Sequence, residues 1–260
     1  MELSLKDKVV LITGGSLGIG YYTALQFAGE GAKVAICARN ETRLQEAVQN
    51  IQHETGQEVL GMTADVSKRD ECFRIVNQTA GHFGRLNILI NNAGTSAANP
   101  FESVTDDLWR YDFDLKLFAA LHCSKASIPH MRKEGGGSIV NVTAVIGKAP
   151  PSSSLPTSVS RAAGLALTKA MSRDLARYQI RVNTVCIGLI RSNQIEQRWK
   201  REAGDLSWEQ YSKDKRHNIP LGRIGEPQEA ANVVTFLASD AASYVTGTSV
   251  NIDGGKSVVL

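Results

Sequence analysis

Short apolar runs alternate with amphipathic stretches of helical length along the whole chain, and this alternation limits the possible folds more than any other feature. Several runs are almost continuously apolar, as strands covered on both faces are. The predicted strands are residues 9–13, 34–38, 60–64, 87–91, 138–142, 181–186 and 249–252. The predicted helices are residues 21–29, 41–54, 68–83, 106–131, 159–177 and 227–237. This order predicts an α/β protein whose parallel strands are joined by right-handed crossovers.

No linker, repeat or low-complexity tract interrupts the pattern, so we expect one domain over residues 1–260. Apolar residues make up 42% and charged residues 21%, as in ordinary globular proteins. The net charge is only +3 and the basic residues are spread out, which argues against a nucleic-acid partner. No apolar run approaches the roughly 20 residues that cross a bilayer, and the N-terminus lacks the apolar core of a signal peptide.

The cysteines also bear on location and chemistry. Cys37, Cys72, Cys123 and Cys186 are far apart and form no Cys-x-x-Cys pair, which predicts free thiols and a cytoplasmic protein. The sequence contains no cluster of metal ligands, so we expect no metal site.

A glycine-rich turn follows the first predicted strand and opens the first helix. Gly14 permits a sharp turn, while Gly18 and Gly20 let the backbone approach a pyrophosphate and let the helix pack close to the sheet. The first N–H groups of such a helix face phosphates and are assisted by the helix dipole. The predicted cofactor-binding residues of this turn are Gly14, Ser16, Leu17, Gly18, Ile19 and Gly20.

The Thr-Gly-x-x-x-Gly-x-Gly pattern of residues 13–20 resembles the short-chain dehydrogenase/reductase family, and the resemblance covers almost the whole chain. Residues 91–94 (Asn-Asn-Ala-Gly), 220–227 and 245–255 match further motifs of that family. The resemblance implies a single doubly wound Rossmann domain with a seven-stranded, mainly parallel sheet and helices on both faces. It also implies dinucleotide binding by Asp65, Val66, Asn92, Ala93, Gly94, Gly188, Ile190 and Ser192, with the Ser192 hydroxyl on the nicotinamide carboxamide.

The end of the second strand bears on the choice of dinucleotide. An acidic residue there selects NAD(H) by binding the ribose 2′-hydroxyl. This strand instead ends in Cys37 and Ala38 and is followed by Arg39. A guanidinium can bind a 2′-phosphate in a bidentate manner, which favours NADP(H) over NAD(H). The alternative is that Arg39 only stacks on the adenine or caps the loop.

The family's catalytic serine, tyrosine, lysine and asparagine fall on Ala144, Thr157, Arg161 and Lys116, and there is no tyrosine between Asp112 and Arg177. A threonine hydroxyl is a far weaker acid than a phenol beside an ammonium, and an arginine does not pass protons along. The candidate catalytic residues are therefore Thr157, Arg161, Lys116 and Thr143. The resemblance implies that Arg161 keeps the contact with the nicotinamide ribose. Alternatively, Arg161 and Lys116 place two cations where a substrate oxyanion, carboxylate or enolate would lie. The alternative for Lys116 is a surface ion pair with Asp112.

These features leave three functional readings open. The first is an NADP(H)-dependent short-chain oxidoreductase (EC 1.1.1.-) acting on a small-molecule carbonyl or alcohol substrate with a non-standard catalytic site. The second is a non-redox lyase, dehydratase or isomerase on the same scaffold, and the third is a catalytically silent nucleotide-binding partner protein. The polar, aromatic segment 191–221 is expected to be a substrate lid, or else a plain surface excursion. The resemblance further implies a homodimer or homotetramer, with an apolar tail over residues 256–260.

Overall fold

A computed structural model describes residues 2–260. Within that range, seven strands form one sheet in the order β3-β2-β1-β4-β5-β6-β7, and every neighbouring pair is parallel. This confirms the predicted fold class. The strands are β1 Val9–Thr13, β2 Lys33–Ala38, β3 Val59–Thr63, β4 Ile88–Asn91, β5 Gly137–Ala144, β6 Ile180–Ile187 and β7 Ser249–Ile252.

The central strands are apolar on both faces because both faces carry helices. Val10 and Ile12 of β1 pack in one core, with Phe27 and Leu44 from the helices above, whereas Leu11 packs in the core on the opposite face. The same alternation runs through β2, β4 and β5. Since a strand buried on both sides needs no polar positions, the continuous apolar runs of the sequence are explained.

The helices divide between the two faces of the sheet. One core contains residues of the helices at 18–29, 41–55 and 227–238, and the other contains residues of the helices at 69–83 and 119–133 together with the end of the helix at 157–174. The helices are α1 Gly18–Gly29, α2 Glu41–Thr55, α3 Arg69–Phe83, α4 Asp106–Phe113, α5 Ala119–Lys133, α6 Thr157–Asp174, α7 Asn193–Ala203, α8 Trp208–Ser212 and α9 Pro227–Ala238. None of those in residues 2–260 combines the length and the apolar character needed to cross a membrane.

The predicted helix 106–131 is not continuous, and this prediction was wrong in detail. A π-helical segment, Asp114–Phe118, separates α4 from α5 and contains Lys116. A π turn inserts extra backbone into the helical ladder and shifts the direction of the side chains around it, and such turns are frequent at functional sites. The apolar periodicity of the sequence carries no sign of this local change of register. The neighbouring prediction was also too long, since α6 ends at Asp174 rather than residue 177.

The chain order of the strands reverses between β1 and β4. In open parallel sheets of this kind, ligands bind beyond the carboxyl ends of the strands at this switch point. The turn after β1 and the loop after β4 therefore meet where a binding cleft is expected.

The predicted lid contains α7, α8 and a short 3₁₀ turn at Lys215–His217. An aromatic cluster made of Trp199, Trp208, Tyr211 and His217 holds these pieces together. Tyr211 is only 1% exposed. The segment is therefore a packed unit with a small core of its own, which also includes Ala203 and Ile224.

Candidate functional site

A cleft of about 1080 Å³ opens at the switch point, beyond the carboxyl ends of the strands. This volume is at the upper end of the usual range for small-molecule sites. Of the predicted site residues, those lining it are Gly14, Ser16, Leu17, Gly18, Ile19, Arg39, Asp65, Val66, Asn92, Ala93, Gly94, Ala144, Thr157, Arg161, Gly188, Ile190 and Ser192. The structure thus brings together residues that are far apart in the sequence.

The N-terminus of α1 faces this cleft without a side-chain cap. Gly14 and Gly18 have φ values of 67° and 56°, which glycine adopts without strain. Leu17 occupies the N-cap position and supplies no side-chain acceptor to the first N–H groups of α1. Uncapped donors and the positive end of a helix dipole suit a phosphate.

Gly20 does not line the cleft but fixes α1 against the neighbouring loop. A Cβ at Gly20 would lie 2.5 Å from the Asn92 side-chain nitrogen. The Asn92 side chain donates to the Thr13 and Gly14 carbonyl oxygens, at 2.9 and 3.0 Å. The Thr13 hydroxyl accepts from the Asn92 and Ala93 backbone N–H groups, both at 3.0 Å. Asn92 therefore ties the glycine-rich turn to the end of β4.

Basic residues lie at the end of β2. Arg39 is exposed and donates to the Tyr111 hydroxyl at 2.8 Å. Asn40 caps α2 by accepting from the Arg43 N–H at 2.9 Å, and Arg43 also lines the cleft. Beside them, one oxygen of Asp65 accepts from the Ser67 N–H and hydroxyl at 3.1 and 2.7 Å. Asp65 thus closes a turn before α3 and leaves its other carboxylate oxygen for a ligand.

Thr157, the first residue of α6, sits at the floor of the cleft. Its oxygen accepts from the Ala97 N–H at 2.9 Å and from the Lys116 ammonium at 3.0 Å. A hydroxyl oxygen has two lone pairs and one proton. With both lone pairs occupied, the Thr157 hydroxyl has its proton free to donate to a group in the cleft.

Lys116 lies behind Thr157 in a buried polar network. It pairs with Asp112, and both side chains are 1% exposed, so the pair of the alternative interpretation exists but is buried rather than at the surface. Asp112 also accepts from the Ser160 hydroxyl at 2.6 Å. Burial and then the charge of Arg161 lower the pKa of Lys116 to about 8, against the opposing effect of Asp112.

Arg161 lies one helical turn after Thr157 and points to the same side of α6. Its Nη1 donates to the Val142 carbonyl at 2.7 Å, and its buried Nε has no hydrogen-bond partner among residues 2–260. A Cβ at Gly94 would lie 2.8 Å from the Arg161 Nη2, so only glycine leaves room for the guanidinium. Burial lowers the pKa of Arg161 to about 10, which keeps it charged at neutral pH.

Thr143 and Lys116 do not line the large cleft. Together with Arg161 they line a separate cavity of about 20 Å³, room for about one water molecule. The Thr143 hydroxyl lies 3.2 Å from both the Val185 carbonyl and the Cys186 sulfur, which joins β5 to β6. Lys116 reaches the cleft only through Thr157, whereas the contacts of Thr143 are within the sheet.

The loop after β6 forms the other end of the cleft. Gly188 packs against Asp253, since a Cβ at Gly188 would lie 2.6 Å from the Asp253 Cβ. Ile190 pairs with Gly225 in an isolated parallel bridge. The Ser192 hydroxyl accepts from the Ile195 N–H at 3.4 Å and caps α7. The cap leaves the Ser192 hydroxyl proton available at the cleft surface.

Sequence reasoning missed several residues of this site. Ser160 was not identified, because a serine inside a helix gives no signal until its partner Asp112 is known. Arg43, in the first turn of α2, was not identified either, although it follows Arg39 by four residues and lines the same cleft. Within the described residues no cluster of His, Cys, Asp and Glu forms a metal site.

The cleft fits an extended anionic nucleotide. It offers uncapped helix N–H groups at its centre, arginines at one end, and the Arg161 guanidinium beside Gly94, whose missing side chain leaves room for it. These features supply donors where phosphates and a ribose of a dinucleotide would lie.

Comparisons with known proteins agree with this geometry. A family model described as enoyl-(acyl carrier protein) reductase matches residues 14–257. The human dehydrogenase/reductase SDR family member 4 is 35% identical over 255 residues, covering 96% of this chain and 88% of the relative. The NADPH and L-sorbose complex of L-sorbose reductase from Gluconobacter frateurii has a TM-score of 0.94 at 30% identity, with 100% of both chains covered.

A second solved structure is also similar. It is an NADPH-bound short chain oxidoreductase from Pseudomonas aeruginosa PAO1, described as containing an atypical catalytic center. Its TM-score is 0.92 at 32% identity, covering 98% of this chain and 100% of that chain.

Proposed function

The chain belongs to the short-chain dehydrogenase/reductase family, and from this premise we propose that it is an NADP(H)-dependent oxidoreductase that interconverts a carbonyl compound and an alcohol (EC 1.1.1.-). The observation that carries the proposal is the cleft at the switch point, which the glycine-rich turn, Arg39 and Arg161 line together. When bound, the nicotinamide supplies the hydride for this reaction. The chain's own residues bind and orient the cofactor and the substrate and move the proton.

The preference for NADP(H) is supported at the end of β2. Arg39 and Arg43 line the cleft there, and the strand ends in Ala38 rather than in an acid. Two guanidinium groups suit a 2′-phosphate, whereas a ribose 2′-hydroxyl is bound by a carboxylate. The two similar solved structures described above are also bound to NADPH. Tyr111 holds Arg39 at this edge through its hydroxyl.

Thr157 and Lys116 are proposed to deliver the proton. During reduction, the Thr157 hydroxyl donates its proton to the substrate oxygen as the carbonyl carbon receives the hydride. Lys116, 3.0 Å away, returns a proton to the Thr157 oxygen. A pKa of about 8 for Lys116 suits this step. A donor whose pKa lies near the working pH is still protonated and transfers its proton readily. Asp112 and Ser160 keep Lys116 in place.

Arg161 is proposed to bind and polarise rather than to move protons. Its Nη1 is fixed on the Val142 carbonyl, and its Nη2 would bind the cofactor ribose or the reacting oxygen. A fixed cation stabilises negative charge that develops on an oxygen, and it does so more strongly in a partly buried site than in water. Ala144 leaves space at the position where the family places a hydroxyl. The similar Pseudomonas protein with an atypical catalytic center supports an active but altered site.

The direct test is isotopic. The protein is incubated with NADPH that carries deuterium at both C4 positions and with a panel of aldehydes and ketones, and the products are examined by mass spectrometry. We expect a deuterium atom on the former carbonyl carbon of at least one product. Conversion without deuterium transfer would mean a lyase, dehydratase or isomerase. NADPH binding without any conversion would mean a silent nucleotide-binding protein.

The proposed enzyme is a cytoplasmic homodimer or homotetramer. The four cysteines are free and buried, which suits a reducing compartment. Val258 and Leu260 of the tail are exposed in the single chain, at 88% and 107%, and offer an apolar segment to a neighbouring copy. Fractionation of the source cells and light scattering of the purified protein test these two statements.

A further inference from the structure

The charges that line the cleft are almost all positive. Among the residues of the described range 2–260 that line it, the basic ones are Arg39, Arg43, Arg161, Arg198, Arg201 and Lys256, and the only acid is Asp65. Arg39 and Arg43 lie at the β2 end, where the proposed 2′-phosphate is bound. Arg198, Arg201 and Lys256 come from the lid and the C-terminal tail and are not explained by the cofactor motifs.

Helix α7 presents these arginines to the cleft because its other side is anchored. Trp199 and Ala203 pack in the small core of the lid, together with Tyr211 and Ile224. Gln194, Arg198 and Arg201 follow helical spacing on the other side and line the cleft. Gln194 also accepts from the Ser96 N–H at 3.2 Å, which ties α7 to the loop after β4. The polar side of α7 is thus held over the cleft.

The positive charge on this side is not fully compensated. Arg198 and Arg201 share one carboxylate, that of Glu202, at 2.8 and 3.0 Å. The Lys256 ammonium donates to the carbonyl oxygen of His217, which is a neutral acceptor. Each arginine keeps further N–H donors beyond its contact with Glu202. Two guanidinium groups and one ammonium therefore face the cleft against a single carboxylate.

The position of this basic group separates it from the cofactor's 2′-phosphate. Helix α7 follows β6, which is four strand positions away from β2 in the sheet. At about 4.8 Å per strand, this is a distance of about 19 Å. The lid end of the cleft is also where Thr157 and Ala144 lie, so the basic group faces the space left for the substrate.

We propose that Arg198, Arg201 and Lys256 form a binding site for an anionic oxygen group, a carboxylate or a phosphate, at the far end of the carbonyl substrate. This rests on the proposed function only in its assumption that the lid end of the cleft receives the substrate. Arginine binds both groups through paired N–H donors, which fixes the orientation of the carbonyl toward Thr157.

The test uses three aldehydes of nearly the same shape: 4-formylbenzoate, 4-formylphenyl phosphate and the neutral methyl 4-formylbenzoate. Binding to the protein saturated with NADPH is measured by calorimetry, and turnover is measured by NADPH absorbance. We expect at least one anion to bind about 10-fold more tightly than the ester, because the neutral ester cannot accept charge-assisted hydrogen bonds from the arginines. The anion that binds more tightly shows whether the site prefers a carboxylate or a phosphate.

Three variants locate the effect. Arg198→Gln/Arg201→Gln is expected to remove most of the preference for the anion. Glu202→Gln removes the carboxylate that both arginines share and is expected to strengthen anion binding. This change is opposite to that of Arg198→Gln/Arg201→Gln, and it would not occur if the arginines only stabilised the fold of the lid. Lys200→Gln/Lys213→Gln removes two charges from the same lid outside the cleft lining and is expected to change nothing.

The outcomes separate the two proposals. Anion-selective binding without turnover upholds this site and counts against the oxidoreductase. Equal or absent binding of the anions and the ester overturns the site, whatever the turnover. The site is also overturned when Arg198→Gln/Arg201→Gln weakens NADPH binding about 10-fold without altering the anion preference, because the arginines then serve the cofactor phosphates.

Discussion

At the scale of single residues, the candidate site is formed by contacts between residues that are far apart in the sequence. Lys116 is bound to Asp112, four residues earlier in the sequence. Its proposed role in proton transfer depends instead on its contact with Thr157, 41 positions away. The sequence predicted Lys116, Thr157 and Arg161 as a group through a family resemblance. It did not predict that the Lys116–Asp112 pair is buried, because an i,i+4 pair of opposite charges is usually on a surface.

The role of the Thr157 hydroxyl gives the first prediction. Thr157→Val removes the proton donor while keeping the shape, so we expect kcat to fall by about 10²–10⁴ with the Kd for NADPH nearly unchanged. Thr157→Ser keeps a hydroxyl and is expected to retain most of the activity. Steady-state kinetics and cofactor titration measure both quantities. A Thr157→Val enzyme that is as active as the parent would show that the proton comes from elsewhere.

The pH dependence of reduction gives the second prediction. In the proposed mechanism the proton donor works only while Lys116 carries its proton, and the pKa of Lys116 is lowered to about 8 by burial and by Arg161. The rate of carbonyl reduction is therefore expected to be level below pH 8 and to fall as the pH rises through that value. Alcohol oxidation needs the deprotonated lysine and is expected to rise over the same range.

The control for the pH profile is Lys116→Met. This variant leaves Asp112 buried without its partner, a change that destabilises proteins by about 3–5 kcal/mol, so its folding is checked first by circular dichroism. A folded Lys116→Met enzyme that keeps the inflection near pH 8 would assign the inflection to another group.

At the scale of the elements, the close seating of α1 against the loop after β4 shapes the cofactor end of the cleft. The glycine spacing of residues 14–20 predicted this turn from the sequence, because only glycine allows these φ values and contacts. The π turn between α4 and α5 was not predictable in the same way. It is fixed by packing of the segment against α6, which the pattern of apolar residues along one helix does not encode.

Two alanine substitutions within α1 provide the third prediction. Gly20→Ala places a methyl group 2.5 Å from the Asn92 side-chain nitrogen, so we expect α1 to be displaced, with a lower melting temperature and loss of NADPH binding. Gly29→Ala lies in the same helix with open space around it and is expected to be neutral or slightly stabilising, by about 0.5–1 kcal/mol. Thermal unfolding and cofactor titration compare the two. Equal behaviour of both variants would contradict the account of the α1 contact.

At the scale of the whole molecule, the fold class followed from the sequence because every central strand is buried on both faces and every crossover is helical. The seven strands of the described residues were all identified. The bounds of β1 and β7 are as predicted, and the ends of the other strands differ by at most two positions. Segment 191–221, the predicted lid, differs from the rest of the chain in composition, but its aromatic core and the direction of its arginines depend on packing among α7, α8 and the 3₁₀ turn. The assembly state likewise depends on surfaces whose partners a single chain does not contain.

The tail gives the fourth prediction. Removal of residues 257–260 takes away the exposed Val258 and Leu260, so a tetramer is expected to shift toward the dimer with little change in melting temperature of the subunit. Light scattering coupled to size-exclusion chromatography measures the mass of both forms. A full-length protein that runs as a monomer would contradict the proposed assembly.

The central claim is that the cleft binds NADP(H), and the most direct test is a titration of the protein with NADPH and with NADH, followed by cofactor fluorescence. We predict a Kd on the order of 1 µM for NADPH, at least about 10-fold weaker binding of NADH, and loss of this preference in Arg39→Ala but not in Arg85→Ala, which removes an arginine outside the cleft. Absence of binding by either nucleotide, or equal binding of both, would contradict the account.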